Sequence, residues 1–159
     1  MSSRTSVDIR EVVFVNAQAK RAYESLPGEV LEAADARTTA IQNHWRLPRN
    51  QRQALTGKLA GIDEVRILFD DDTYRVYYLT RFHAVIYILD AGKKKSPRGK
   101  DMPRTQVDRL IERKKVAVAH YASNEKWFEA RMADRLTRRA AYEAPDGPAS
   151  TQENSDDRQ

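Results

Sequence analysis

The sequence contains no cysteine among its 159 residues. Disulfide bonds and thiolate metal sites are therefore excluded, and nothing in the composition indicates an oxidising compartment. No apolar run approaches the roughly 20 residues that a membrane-spanning helix needs, and the first eight residues lack the apolar core of a signal peptide. We therefore expect a cytoplasmic protein.

Residues that bind metals are also scarce. The three histidines, His44, His83 and His120, do not have the spacing that would place two ligands on one helix face or one hairpin beside a carboxylate. The run 70–72 is Asp-Asp-Asp, but it lies between two predicted strands, where aspartate forms turns. A phosphate-binding glycine loop and a nucleophile elbow are both missing. We expect no metal and no cofactor.

Positive charge is concentrated in one part of the chain. The formal net charge is +5, but residues 143–159 hold five acidic and one basic residue, a net of −4, which leaves +9 on residues 1–142. Between Lys93 and Lys115 there are ten basic and three acidic residues. Such a cluster attracts polyanions and makes their binding depend on salt. A solvated helix face and loop is the alternative, but the run begins where a predicted strand ends, which favours a binding site.

Apolar periodicity predicts an α+β fold, a small antiparallel or mixed sheet with two N-terminal helices and further C-terminal helices. The predicted elements are a strand at 11–16, helices at 17–26 and 29–43, a loop at 46–57, strands at 64–69, 74–80 and 84–89, a helix from about Arg104 and another capped by Asn124. The three successive strands form a meander. The third is apolar on both faces, so we place it centrally.

Three segments are predicted along the chain: a domain at 10–122, a helical extension at 123–143 and an acidic tail at 144–159. The tail has no apolar periodicity and is expected to be disordered. The extension carries apolar side chains at helical spacing, namely Trp127, Phe128, Met132 and Leu136. It either docks a partner or a second copy, or folds back onto the core of the domain.

Two arginines, Arg66 and Arg75, interrupt otherwise apolar strands. If the hairpin closes symmetrically around positions 71 and 72, the two side chains lie on one face as diagonal neighbours, roughly 7–8 Å apart. Adjacent cations repel unless an anion lies between them. The pair therefore either binds an anionic ligand or is solvated and bridged to Glu64 or Asp63.

The third strand leads to Lys93, Lys94 and Lys95 at the same end of the sheet, with Tyr77 and Tyr87 nearby. Converging cations and phenols suit a phosphodiester and stacked bases. RNA can be cleaved without metal when its 2′-hydroxyl attacks the adjacent phosphate, and fixed cations stabilise the negative charge that develops. The sequence is compatible with this chemistry but does not require it.

The chain also resembles the phage-derived Gp49-like branch of HigB toxins, within the RelE/ParE superfamily. The resemblance covers roughly residues 12–122, and the segments that carry it are 13–16, 25–30, 64–66, 74–78, 106–113 and 85–103, the last reading Val-Ile-Tyr-Ile-Leu-Asp-Ala-Gly-Lys-Lys-Lys-Ser-Pro-Arg-Gly-Lys-Asp-Met-Pro. It implies a RelE-like fold and the toxin of a type II toxin–antitoxin system. Such a toxin is a ribosome-dependent endoribonuclease that cuts messenger RNA and inhibits translation.

The same resemblance implies partners and site residues. The partners are the ribosome, messenger RNA and an antitoxin of helix-turn-helix type, whose complex with the toxin binds operator DNA. The implied catalytic residues are Arg66, Arg75, Lys94 and Lys95. Around them we expect RNA contacts from Lys93, Arg98, Lys100, Tyr77 and Tyr121, with His120 as the alternative to Tyr121.

Two positions depart from the pattern of the HigB-like branch. Asp90 and Gly92 occupy places where that branch commonly has histidine and phenylalanine. Asp90 could serve as a base or could mark lost catalysis. Two other functions for the same fold stay open: a ParE-like inhibitor of DNA gyrase, and a non-catalytic module in an operon-regulating or RNA-binding complex.

Overall fold

The computed structural model describes residues 8–94 and 101–143. In chain order the elements are β1 (Glu11–Phe14), α1 (Ala17–Glu24), α2 (Gly28–Gln42), β2 (Arg52–Ala54), a 3-10 turn (Gly57–Leu59), β3 (Ile62–Phe69), β4 (Asp72–Leu79), β5 (Val85–Lys93) and α3 (Arg104–Glu143). The sheet order is β1-β5-β4-β3-β2, with β1 parallel to β5 and the other neighbours antiparallel. The predicted α+β fold is confirmed.

The sheet is buried on both faces. On one face, α1 and α2 pack on the strands through Tyr23, Val30, Ala34, Ile41, Val65, Ile67, Val76, Tyr78, Ile86 and Ile88. On the other, α3 packs on the strands through Ile62, Tyr77, Leu79, Val85, Tyr87, Leu89, Leu110, Ala117, Phe128 and Met132. The apolar start of β5 lies between these two layers, as expected for a central strand.

The segment 46–57, predicted as a loop, contains the edge strand β2. It pairs with the first half of β3, where Arg52 lies opposite Val65. The Nε atom of Arg52 donates to Asp63 at 2.9 Å, which holds the short strand in place. The sequence prediction was wrong here because a polar strand of three residues has no apolar alternation to reveal it.

The β3–β4 hairpin closes earlier than predicted. Asp70 and Asp71 form the two-residue turn, with φ of 52° and 65°, the left-handed angles that such hairpin turns require. Arg66 is therefore directly opposite Arg75. The predicted register was wrong by two positions along β4. An even shift leaves every side chain on its predicted face, so the arginines still share one surface and are direct rather than diagonal neighbours.

The long helix α3 bends at Asn124, where φ is −128°. A second helix beginning at this residue was predicted, and Asn124 is indeed the non-helical residue at which one helical segment meets the next. The Nδ2 atom of Asn124 donates to the carbonyl of His120 at 2.9 Å, in the turn before the bend. The bend directs the second half of α3 toward β1, where Arg131 Nε donates to Glu11 at 2.6 Å.

The second half of α3 folds back onto the sheet. Phe128 is 1 % exposed and Met132 is buried, whereas Trp127 is 52 % exposed on the outer side. Of the two possibilities for residues 123–143, packing on the protein's own core is the one observed. The predicted disordered tail, 144–159, lies outside the described residues. Among the helices of the described ranges, none combines the length and apolarity needed to cross a membrane.

Candidate functional site

A cavity of about 480 Å³ lies where the carboxyl end of β5 meets the start of α3. Residues of β4, α1 and the segment before α3 complete its wall. Among the described residues, its charged side chains are Arg75, Lys93, Lys94, Arg109, Arg113, Asp90 and Asp101. Five of these seven are basic, so an anion is the class of ligand that the cavity favours.

Glu64 bridges the two arginines of the hairpin. Its buried carboxylate accepts hydrogen bonds from Arg66 Nε at 3.1 Å and from Arg75 Nη1 at 3.2 Å. Arg66 also donates to the side chain of Gln53 in β2. The carboxylate between two directly opposed guanidiniums relieves their repulsion and fixes both. Glu64 and the two arginines together keep one net positive charge. Of the two arginines, only Arg75 lines the cavity.

The cations at the end of β5 differ in their contacts. Lys93 is opposite Tyr74, and its Nζ forms an ion pair with Asp72 at 3.2 Å, so its amine is engaged at the hairpin. Lys94 follows the strand, with its backbone N–H donating to Thr73 at 2.8 Å. No ion pair holds the Lys94 amine within the described part of the chain. The predicted site residues Lys95, Arg98 and Lys100 lie outside the described residues.

A bulge in β5 directs Asp90 into the cavity. Tyr77 pairs with Asp90 and Tyr78 pairs with Ile88, so Leu89 is the extra residue. A bulge interrupts the alternation of side chains along a strand. Leu89 and Asp90 therefore both face the α3 side of the sheet, Leu89 in the core and Asp90 in the cavity at the start of the helix.

Three side chains of α3 surround the Asp90 carboxylate. Oδ1 lies 3.2 Å from Arg113 Nη1, and Oδ2 accepts from Arg109 Nη1 at 3.3 Å and from Gln106 Nε2 at 3.0 Å. With both oxygens engaged by donors, Asp90 is suited to positioning these side chains rather than to accepting a proton. The other departure, Gly92, lines the cavity, and a Cβ there would contact nothing within 4 Å.

Arg109 and Arg113 were not among the site residues predicted from the sequence. The available signal was their spacing, because residues three and seven positions after Gln106 lie on one face of a helix. The sequence alone did not show that this helix face contacts Asp90, because the bulge that orients Asp90 cannot be recognised from the pattern of apolar residues. In residues 8–94 and 101–143, no group of three or more His, Asp or Glu side chains could hold a metal ion.

Comparison with protein families identifies the chain. Residues 11–115 match the family described as Phage derived protein Gp49-like (DUF891), which is more than half of the chain. The chain belongs to the Gp49-like family. A search of the curated proteins found no match. The matched region runs from β1 into the first half of α3, and it includes Arg75, Lys94 and the three residues that surround Asp90.

Tyr77 of this Gp49-like protein forms part of the cavity wall but is only 5 % exposed. Burial raises the pKa of Tyr77 to about 12, and the negative charge of Glu64 adds to this while Arg75 opposes it. The phenol therefore stays neutral at physiological pH. Its ring is too buried for a base to stack on it, so the expected RNA contact is limited to the edge that reaches the cavity.

Tyr121 and His120 lie away from the cavity. The ring of Tyr121 stacks on Phe82 at 4.0 Å, and its hydroxyl donates to Glu129 at 3.1 Å. His120 Nδ1 lies 2.8 Å from the hydroxyl of Tyr87. These contacts are near the start of β5, whereas the cavity is at its end. The structure therefore does not bring Tyr121 or His120 together with the other predicted site residues.

The buried phenols predict a loss of stability at alkaline pH. Tyr77 holds its proton to a pKa of about 12 in the folded Gp49-like protein, against about 10 in an unfolded chain. The stability that the neutral phenol contributes to the folded state is complete below pH 10 and is lost as the pH rises through 10 to 12. We expect the free energy of unfolding in urea to fall by about 1 kcal/mol per such phenol between pH 9 and pH 11.

Tyr77→Phe is the control, because it removes one of these protons and should make the pH dependence shallower. The absorbance of ionised tyrosine, followed in the same titration, reports when the buried phenols lose their protons. Identical pH dependence in the wild type and Tyr77→Phe would contradict the assignment of the shift to Tyr77.

Proposed function

We propose that this Gp49-like protein is the toxin of a type II toxin–antitoxin system and cleaves messenger RNA on the ribosome without a metal ion. The observation that carries the proposal is the cavity at the end of β5, where Arg75, Lys94 and Arg109 are placed around a space large enough for a phosphodiester. The family assignment and the resemblance to HigB toxins support it. The proposed partners are messenger RNA, the ribosome and an antitoxin of helix-turn-helix type, through which the complex binds operator DNA.

In the proposed reaction the 2′-oxygen of the RNA attacks the adjacent phosphorus. A bond forms between them, and the bond to the 5′-oxygen of the next nucleotide breaks. That oxygen leaves with the bonding electrons and takes up a proton from water to become a 5′-hydroxyl, while a 2′,3′-cyclic phosphate remains. The phosphate gains negative charge in the transition state. Arg75, held by Glu64, and Lys94, whose amine has no ion-pair partner in the described ranges, would stabilise that charge by a few kcal/mol per group.

The reaction also needs an acceptor for the proton of the 2′-hydroxyl. The cavity has two carboxylates, and Asp90 is engaged by Gln106, Arg109 and Arg113. Asp101 lines the same cavity, and it makes no hydrogen bond or ion pair with any other described residue. We assign the proton transfer to Asp101 in this proposal.

A second candidate function is a non-catalytic RNA-binding module on the same fold. The observation that favours it is the state of Asp90, which replaces the histidine of the HigB-like branch and has both oxygens engaged by donors. That position then supplies no proton transfer. The basic cavity would retain RNA by its charge alone.

The test is to map the 5′ ends of cellular messenger RNA within minutes of inducing the protein. We expect new ends within translated regions, and we expect them to disappear when translation initiation is blocked before induction. Arg138→Ala is the matched variant that should cleave like the wild type, because Arg138 lies on the distal half of α3 and pairs with Asp134 at 2.9 Å.

Each other outcome selects a different function. If growth stops without new messenger RNA ends and plasmid supercoiling is lost, the protein is a gyrase inhibitor and the nuclease proposal is rejected. If induction causes neither growth arrest nor new messenger RNA ends, and the purified protein still binds RNA, the non-catalytic module is favoured.

A further inference from the structure

We propose that Arg109 binds a backbone phosphate of the RNA and that Asp90 is the positioning residue that holds Arg109 in place, an inference that rests on the proposed function for the identity of the anion. The Asp90 carboxylate is shared between two arginines, Arg109 and Arg113, whose side chains differ in exposure. One of the two is used by the fold, and the other is left facing the cavity.

Arg113 is the arginine used by the fold. Its side chain is 9 % exposed. Its Nη1 donates to the carbonyl of Leu89 at 2.8 Å, and its Nη2 donates to Gln18 of α1 at 3.1 Å. Its charge is balanced by Asp90 Oδ1 at 3.2 Å. A guanidinium with this many internal partners has little left to offer a ligand, and it joins α3 to β5 and α1.

Arg109, in contrast, is exposed and has few internal partners. Its side chain is 44 % exposed and lines the cavity. Both of its hydrogen bonds come from Nη1, to Asp90 Oδ2 at 3.3 Å and to Gln106 Oε1 at 2.8 Å. Within the described part of the chain, Nε and Nη2 make no hydrogen bond. A phosphate oxygen is the acceptor that such a free guanidinium edge binds best.

The charge balance leaves Arg109 positive. Asp90 carries one negative charge and is already paired with the buried Arg113, so the three groups together keep one positive charge. The exposed member, Arg109, is where that charge meets the cavity. Asp90 therefore does not cancel the charge of Arg109. It fixes the direction of a side chain that would otherwise lose considerable rotamer entropy on binding.

Arg109 and Arg75 line the cavity from different walls, one from α3 and the other from β4. A strand of RNA lying in the cavity would therefore contact cations on two sides. Arg75 and Lys94 are assigned to the reacting phosphate in the proposed function. Arg109 is assigned to binding, and its loss should weaken affinity more than it changes the chemistry.

The test measures binding of a fluorescent single-stranded RNA oligonucleotide carrying 2′-O-methyl groups, which cannot be cleaved by 2′-oxygen attack. Affinity is measured at several salt concentrations for the wild type, Arg109→Ala and Arg138→Ala, the last being the arginine control on the same helix. We expect Arg109→Ala to weaken binding about 5- to 20-fold. The slope of log affinity against log salt should fall by about 0.7, the loss of one phosphate contact on a single strand. Arg138→Ala should match the wild type.

A double-mutant cycle tests the positioning role of Asp90. Arg109→Ala should cost at least three-fold less affinity in the Asp90→Asn background than in the wild type. The amide has one acceptor oxygen and no charge, so it cannot hold both Arg109 and Arg113 as the carboxylate does. A purely structural role of Asp90 would give additive effects. If Asp90→Asn does not fold, Gln106→Ala replaces it in the cycle, since Gln106 is the other partner of Arg109 Nη1.

The outcomes separate this inference from the proposed nuclease. The phosphate contact is overturned if Arg109→Ala binds the oligonucleotide with the same affinity as Arg138→Ala. It is also overturned if the wild type does not bind the oligonucleotide. Additive effects in the cycle overturn the positioning role. Binding that depends on Arg109 in a protein that generates no new messenger RNA ends supports the inference and rejects the nuclease instead.

Discussion

In the proposed nuclease, replacing Arg75 by alanine should lower the rate of messenger RNA cleavage on the ribosome about 10²- to 10³-fold, with a much smaller effect on RNA affinity. The reason is the place of Arg75 in the fold. Glu64 fixes its guanidinium from one side, and the side chain also lines the cavity. A charge fixed before the reaction stabilises the transition state without reorganisation, and removing one such group costs a few kcal/mol.

The measurement is single-turnover cleavage of a defined message on purified, stalled ribosomes. Arg66→Ala is the informative companion, because Arg66 shares Glu64 with Arg75 but does not line the cavity. We expect it to slow cleavage far less than Arg75→Ala does. Urea unfolding of both variants shows whether the fold survives, since each leaves Glu64 with one partner fewer. Equal losses of rate in Arg66→Ala and Arg75→Ala would show that the pair acts only by holding the hairpin.

Replacing Phe128 by alanine should lower the free energy of unfolding by about 3–5 kcal/mol, the usual cost of deleting a buried phenyl ring. Phe128 is 1 % exposed. Its ring centroid lies 6.4 Å from that of Tyr87 in β5 and 6.0 Å from that of Tyr121. The loss would leave a void between the second half of α3 and the central strand.

Trp127→Ala is the matched control one residue away. Trp127 is 52 % exposed and contacts Phe128 and the guanidinium of Arg131, so its loss should cost about 1 kcal/mol or less. Urea unfolding followed by circular dichroism measures both variants. Similar, small losses in the two would mean that residues 125–143 are an appendage, and the segment would then be removable without unfolding the rest.

Much of the fold was predictable because its strands carry strong patterns. The strands 64–69, 74–80 and 84–89 were predicted close to their observed positions, and the doubly apolar third strand, β5, lies inside the sheet between β1 and β4. The edge strand β2 was missed because Arg52, Gln53 and Ala54 show no apolar alternation. The hairpin register was wrong because three consecutive aspartates offer several turns of equal propensity, and packing decides among them.

The candidate site was only partly predictable. Arg75 and Lys94 were identified and do line one cavity, because strand order alone brings their backbone positions together. The shared Glu64 was named as a possible bridge, but its simultaneous contact with both arginines depends on the register. Arg109 could not be assigned, since its contact with Asp90 depends on a bulge and on the rotation of α3. Tyr121 was placed by resemblance alone, and tertiary packing puts it near the other end of β5.

The contact between the distal half of α3 and β1 also bears on how the protein folds during synthesis. Arg131 reaches Glu11, a partner 120 positions earlier in the chain, and Phe128 and Met132 complete the cluster around Tyr87. A chain leaving the ribosome from its N-terminus cannot close this layer until residue 132 has emerged. Contacts of such long sequence separation form late. The cluster on the α3 side of the sheet therefore stays incomplete in the nascent chain until most of the protein has been translated.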